Sequence, residues 1–201
     1  VTGTTTAFDS TKITDSSKSF DINRFRSWDV TVDSSVYNID TNTSTELFFP
    51  NTVSANGAYT ISFVTRTSLQ KFDDDAASST KMPDTLLSSK IGITKTLFEK
   101  KIKAKFMNLY SVFSTTDPMT LIYNLGELKQ PFAYYVLYEI YTDLMIDQED
   151  INVMKSEMFF NKFKNSLNDC MSLLAVDMNE SGSISNAEQD TNVSRGILLS
   201  R

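Results

Sequence analysis

The chain has 201 residues, a net charge of −6 and an isoelectric point of about 4.7, an acidic balance that argues against a general binder of nucleic acid or anionic membranes. It has no histidine and a single cysteine, which removes Ser-His and Cys-His nucleophile systems, disulfide frameworks and cysteine–histidine zinc sites. With six glycines and neither G-x-x-x-x-G-K-[ST] nor G-x-G-x-x-G, it has little material for loops that cradle phosphate, and enzyme is the least supported class.

The first residues, V-T-G-T-T-T, lack the basic and apolar regions of a signal peptide. No apolar run reaches the roughly 18 residues of a membrane span, so no membrane partner is expected. Residues 1–64 are rich in Thr and Ser and show a period of two. Trp28, Val30 and Val32 alternate with polar residues, as do Tyr37 and Ile39 after the turn-like D-S-S at 33–35. Leu47 to Phe49 is a short apolar run closed by Pro50. Tyr59, Ile61 and Phe63 alternate after the tight-turn pair Asn56-Gly57. This predicts a small antiparallel β unit of four or five strands. Phe20, Phe25 and Trp28 are expected to fill its core, because so small a sheet needs large side chains to bury enough area. An aromatic ligand site is the other use such a trio could have.

Residues 65–90 read as a connecting loop, with the like-charged run Asp73-Asp74-Asp75 as a solvated stretch and a short helix before it as an option. From 91 to 176 the period is helical, which predicts a bundle. Phe98, Ile102, Phe106, Leu109, Tyr110 and Phe113 recur at spacings of three and four, with Lys95, Lys100, Lys101, Lys103 and Lys105 mostly on the other faces. Asp117-Pro118 marks a turn. Pro131 then opens P-F-A-Y-Y-V-L-Y-E-I-Y, where a missing N–H is tolerated in a first helical turn. This segment is apolar nearly all round and predicts the buried central helix. Tyr134, Tyr135, Tyr138 and Tyr141 suit a core that opens onto an interface. Tyr138 is expected to be buried, with Phe106 and Phe163 near it. An acidic break at Asp147 to Asp150 precedes a helix over 151–176, with Phe160, Phe163, Leu167, Cys170, Met171 and Leu174 as its stripe.

The last segment, 177–201, opens with D-M-N-E-S-G-S-I-S-N-A-E, the frame of an EF-hand-type calcium loop. Asp177, Asn179 and Ser181 put oxygens at positions 1, 3 and 5. Gly182 allows the sharp turn at 6, and Ser183 offers its carbonyl at 7. Ser185 supplies a hydroxyl or bridging water at 9, Ile184 the apolar anchor at 8, and Glu188 a two-oxygen ligand at 12. Calcium is the cofactor this frame allows. Only two of these ligands are charged, which predicts weak binding, and position 5 departs from the usual Asp or Asn. The same residues also read as a polar turn that ends a long helix.

Two stretches resemble parts of tailed-bacteriophage structural proteins. Asp15, Ser16, Lys18, Phe20, Asn23, Phe25 and Trp28 stand in D-S-S-K-S-F-D-I-N-R-F-R-S-W-D-V. That run is similar to a small β module that recurs in virion proteins of these phages. The helical half, with L-K-Q-P-F-A-Y-Y-V-L-Y-E-I-Y, an acidic break and F-F-N-K-F-K-N-S-L-N-D-C-M-S-L-L, resembles their head–tail connector (adaptor, or neck) proteins, some of which end in a loop like 177–188. The resemblance spans roughly 10–64 and 90–190. It implies a virion protein assembled in the host bacterial cytoplasm, as a homo-oligomeric ring beneath the portal. Its partners would be itself, the portal protein and the next tail or neck protein, with DNA passing through without specific binding. The fold expected is α+β, a small N-terminal antiparallel β unit followed by a helical bundle. An extracellular or cell-surface calcium-binding β/helical interaction module is the other reading these features allow.

Overall fold

A computed structural model of the chain describes residues 1–20, 22, 24–53, 57–75, 78, 82–106, 121–145 and 151–176. The architecture is α+β: antiparallel strands come first and helices follow. The described residues group into two compact units. One holds Val1–Phe63 with 121–126 and 174–176; the other holds 64–106 and 127–173.

The β unit has eight short strands: β1 (Thr2–Thr4), β2 (Ala7–Asp9), β3 (Lys12–Thr14), β4 (Asp29–Val32), β5 (Ser35–Asn38), β6 (Thr41–Asn42), β7 (Glu46–Phe48) and β8 (Ala58–Ser62). They form two four-stranded antiparallel sheets, ordered β1-β8-β4-β5 and β2-β3-β7-β6. The sequence predicts only four or five strands. The additional ones include β1 to β3, where threonine is common and Ile13 is the one buried apolar residue, so no apolar alternation is available to read. Val32 pairs with Ser35, which leaves Asp33 and Ser34 as the entire loop between β4 and β5. Both have positive φ, 46° and 66°, the type I′ geometry whose twist matches that of a hairpin. Both sheets feed one core: Ile13 and Leu47 come from one, Val30, Val32, Tyr59 and Ile61 from the other. Phe20 and Phe25 are buried in it and Trp28 is packed at its margin.

The helical unit starts earlier than the sequence suggests. In the predicted 65–90 connection, α1 (Arg66–Gln70) takes the place of the optional short helix before the acidic run, and the first turns of α2 (Asp84–Lys105) replace the end of the loop. A reciprocal cap starts α1: the Ser68 N–H donates to Thr65 Oγ1 at 3.2 Å, and the Thr65 N–H donates to Ser68 Oγ at 2.7 Å. Pro83 precedes α2, and Asp84 stands in its first turn, where the helix dipole favours an acid. A 3₁₀ turn, Leu125–Leu128, leads into α3 (Lys129–Asp143), and α4 runs over Ile151–Leu173. Tyr135 meets Phe163 at 4.8 Å between ring centres, and Tyr141 meets Phe159 at 5.8 Å, so α3 and α4 are antiparallel. Phe98 meets Phe132 near the start of α3 at 5.1 Å, and Lys90 pairs with Asp143 at its end, so α2 is antiparallel to α3 as well.

Two expectations about this core need correction. Tyr138 is half-buried, and its ring meets Phe160 at 4.9 Å and Tyr135 at 5.4 Å. The buried tyrosine is Tyr141, 1% exposed. On α4 the inward stripe is Ser156, Phe159, Phe163 and Leu167, while Phe160 is half-buried. With two adjacent phenylalanines, periodicity alone does not say which ring points inward; the position of α3 decides it. Helix α4 also ends at Leu173 rather than 176.

Candidate functional site

The residues of the calcium-loop frame, Asp177, Asn179, Ser181, Ser183, Ser185 and Glu188, lie outside the described residues. The chain leading to them is described. After α4 it extends, and Val176 forms an antiparallel bridge with Ile122. The Tyr123 N–H donates to the Ala175 carbonyl at 2.9 Å, and the Ala175 N–H donates to Asn124 Oδ1 at 2.9 Å. An EF-hand loop leaves directly from a helix; here three extended residues, held against 122–124, intervene. Among the described residues, no cluster of acidic or cysteine side chains is arranged to hold a metal ion, and no helix is long and apolar enough to cross a membrane.

Residues that carry the phage-module pattern have structural duties. Asp15 is 2% exposed. Its carboxylate accepts from the Ser17 hydroxyl at 2.5 Å, the Tyr59 hydroxyl at 2.8 Å, the Ser17 N–H at 3.0 Å and the Thr4 N–H at 3.2 Å. Burial alone would raise its pKa, but these donors outweigh burial and hold it below the ordinary carboxylate value. Burial, with the facing Asp15 carboxylate, raises the pKa of Tyr59. A β-carbon at Gly3 would overlap both the Tyr59 hydroxyl and the Asp15 carboxylate, so the close approach of β1 requires glycine. Phe20 and Phe25 meet edge-on at 5.3 Å, Phe25 and Trp28 at 5.5 Å, and Trp28 reaches Phe63 at 5.5 Å. The aromatic trio is core packing.

Two polar clusters tie the helical unit together. Lys90 is 8% exposed and pairs with Asp143 at 2.7 Å and Glu139 at 3.4 Å. Burial opposes its charge, yet the two carboxylates hold its pKa above the ordinary lysine value. Burial and the neighbouring Glu139 push the Tyr135 hydroxyl up to about 12. In the second cluster Tyr141 donates to Asp73 at 2.7 Å, and Lys155 donates to the Tyr141 hydroxyl at 2.7 Å and to Asp73 at 3.3 Å. Asp73 is therefore a cross-link to α3 and α4, not part of a solvated acidic run. Neither cluster is legible in sequence, since each joins residues about 50 or more positions apart. Cys170 is half-buried, and burial first, then Glu127 and Asp169, raise its pKa, which keeps it a thiol at neutral pH.

The less committed surface lies along α4. Ile151, Met154 and Met158 are 61%, 65% and 40% exposed at its start, and Leu173 is 61% exposed at its end. Between the C-terminal turns of α2 and α4 lies an open groove of about 430 Å³, lined by Lys101, Ala104, Lys105, Leu167, Asn168, Met171 and Ser172. Lys105 as a whole is exposed, but its ammonium lies 5.1 Å from the centre of the Phe106 ring, and its apolar surroundings lower its pKa. The sequence shows these lysines only as the basic side of a helix; that they flank an apolar groove depends on where α4 packs. No family model, curated protein or solved structure matches the chain.

Proposed function

We propose that this chain is a non-catalytic structural subunit of a tailed-phage neck, forming a ring of identical copies between portal and tail and lining the DNA path. The observation that carries the reading is the exposed apolar stripe of Ile151, Met154 and Met158 on α4. Single exposed apolar side chains are ordinary, whereas a contiguous stripe marks a surface used for association. Two further observations support it. Asp15, Phe20 and Phe25, which carry the resemblance to phage β modules, are all spent on the core of the β unit. The net charge of −6 suits a channel that must not hold DNA tightly, because DNA affinity comes largely from Lys and Arg on phosphates.

Sedimentation with the portal protein of the same phage tests this. A stoichiometric complex should form at micromolar concentration, even where the isolated chain is monomeric and needs the portal as a template. Failure to co-sediment with an assembly-competent portal would remove the neck reading.

The frame at 177–188 favours a second proposal, that the tail holds calcium structurally. With two charged ligands and no paired loop, the dissociation constant should be about 10⁻⁴ M or weaker. The ion would then fix the chain that follows the Ile122–Val176 bridge without acting as a switch. Calorimetry with millimolar Ca²⁺ should show heat for the unmodified chain and none for Glu188→Ala, with both cores still folded. No heat in the unmodified chain would leave the segment a polar turn. Calcium binding by a chain that ignores portal but captures a glycan or peptide would favour the cell-surface module.

A further inference from the structure

Helices α2 and α4 both run antiparallel to α3, so they are parallel to each other, and their C-terminal turns lie at one end of the helical unit. The groove between those turns takes its apolar surface from Ala104, Leu167 and Met171 and is flanked by Lys101 and Lys105. None of the residues lining it is acidic. The two lysines are one helical turn apart, and neither has an ion pair among the described residues. Elsewhere Lys12, Arg66, Lys90, Lys95 and Lys155 each meet a carboxylate. The groove lysines stay unpaired in a chain with 25 acidic and 19 basic residues.

We propose that the α2–α4 groove receives an amphipathic helix of a partner protein, apolar on its buried face, with Asp or Glu in its first turns, and antiparallel to α2 and α4. The walls are helices whose backbone groups are already paired. An extended segment laid on such apolar surface would leave its own N–H and C=O groups unmatched, whereas a helix pairs them internally. Charge sets the composition of the occupant: acids on its flank would meet Lys101 and Lys105 across the rim, and two acids four residues apart match the spacing of the lysines. Polarity sets its direction. The ends of α2 and α4 carry the negative ends of two helix dipoles, which favour the positive N-terminal end of an incoming helix, and acids belong in that first turn for the same reason. A cation in the last turn of α2 also steadies α2 itself, and Lys103 and Lys105 both stand there; Lys101 lies a turn earlier, so the dipole does not account for the lysine pair along the rim. The apolar surroundings that lower the pKa of Lys105 make an arriving carboxylate worth more than it is beside a fully hydrated lysine. A nucleic acid held by the lysines is the competing occupant, but the apolar floor offers a phosphate backbone nothing to pair with. The proposal goes beyond the ring reading and does not require it, because the occupant is an unlike protein.

A designed peptide tests the groove. The full chain, with isotope-labelled methionine methyls, is titrated into a fluorescent, N-acetylated peptide of about 18 residues that carries leucines at i, i+3, i+4 and i+7 and glutamates beside them in its first two turns. Anisotropy reads the affinity. The methyl signal of Met171, identified by its loss in Met171→Leu, reads the place. The peptide should bind with a dissociation constant on the order of 10⁻⁵ to 10⁻⁴ M and move the Met171 signal while those of Met154 and Met158 stay put. Lys101→Glu with Lys105→Glu should weaken binding about tenfold, the scale of two partly screened ion pairs, and a peptide with lysines in place of the glutamates should recover that loss on the variant. Ala104→Trp, which fills the groove from an exposed position, should abolish binding with circular dichroism unchanged. No binding at about 1 mM peptide, or binding that moves Met154 and Met158 but not Met171, overturns the proposal. So does an affinity indifferent to the charge reversal, or a short single-stranded DNA that binds more tightly than the peptide and leaves Met171 unmoved. A chain that takes the peptide but ignores portal keeps this proposal and loses the neck reading; one that binds portal but not the peptide does the reverse.

Discussion

Replacing Phe163 with alanine should destabilise the helical unit by roughly 3–5 kcal/mol, the range for a large aromatic removed from a core. Phe163 is 4% exposed. It stands where three helices meet: its ring centre lies 6.0 Å from that of Phe98 on α2 and 4.8 Å from that of Tyr135 on α3. Deleting it opens a cavity between the rings it now touches, so the transfer cost and the cavity cost add. The loss should appear in denaturant titration followed by helical circular dichroism, as a lower midpoint with an unchanged slope. A shift below about 1 kcal/mol would mean that the surrounding side chains collapse onto the site. Tyr138, half-buried on the next turn of α3, should tolerate truncation better.

Asp15→Ala should cost the β unit roughly 2–4 kcal/mol, because it strands a buried tyrosine hydroxyl and two backbone donors that the carboxylate now satisfies. Trp28 is the chain's single tryptophan and lies in this unit, so its fluorescence follows β-unit unfolding separately from the helices. The pH dependence has a definite sign. The pKa of Asp15 is lowered on folding, so its contribution is fully present above the unfolded carboxylate value of about 3.9. It declines as pH falls below that value and is gone once pH passes the lower folded value. Tyr59 is raised on folding. Its contribution is therefore intact below the unfolded value of about 10 and is lost as pH rises toward the folded value. The unmodified β unit should weaken at both extremes. Asp15→Ala should be less stable at neutral pH, and the gap should narrow in acid. A gap independent of acid pH would mean that the carboxylate's charge contributes nothing beyond its shape.

Tyr141 behaves like Tyr59 at the alkaline extreme. Burial and then Asp73 raise its pKa, so the helical unit also loses stability as pH rises above about 10. Both units use the same device, a buried tyrosine hydroxyl donating to a carboxylate from a distant part of the chain. That device carries no sequence pattern, because a lone Tyr and a lone Asp have no spacing to read.

Local physics was sufficient for much of the fold. Alternation at Val30 and Val32 and at Tyr59 and Ile61 reports strands with one buried face. The Asp33-Ser34 turn follows from its residues' tolerance of positive φ. The near-continuous apolar run after Pro131 could only be a buried helix. Strands β1 to β3 escaped because Ile13 is their one buried apolar residue, which leaves no alternation to read, and because β1 and β3 take partners, β8 and β7, that come much later in the chain. The start of α2 escaped because its first turns carry Thr, Ser and Leu without a clear stripe. The candidate surfaces divide in the same way. The residues of the calcium frame are a local pattern and are visible in sequence. The Asp15 and Asp73 clusters, the choice of Phe159 over Phe160 as the inward ring, and the lysine-flanked groove are not. Each depends on which helix or strand lies opposite, and that is decided by packing, where burial area and volume, not spacing, set the outcome.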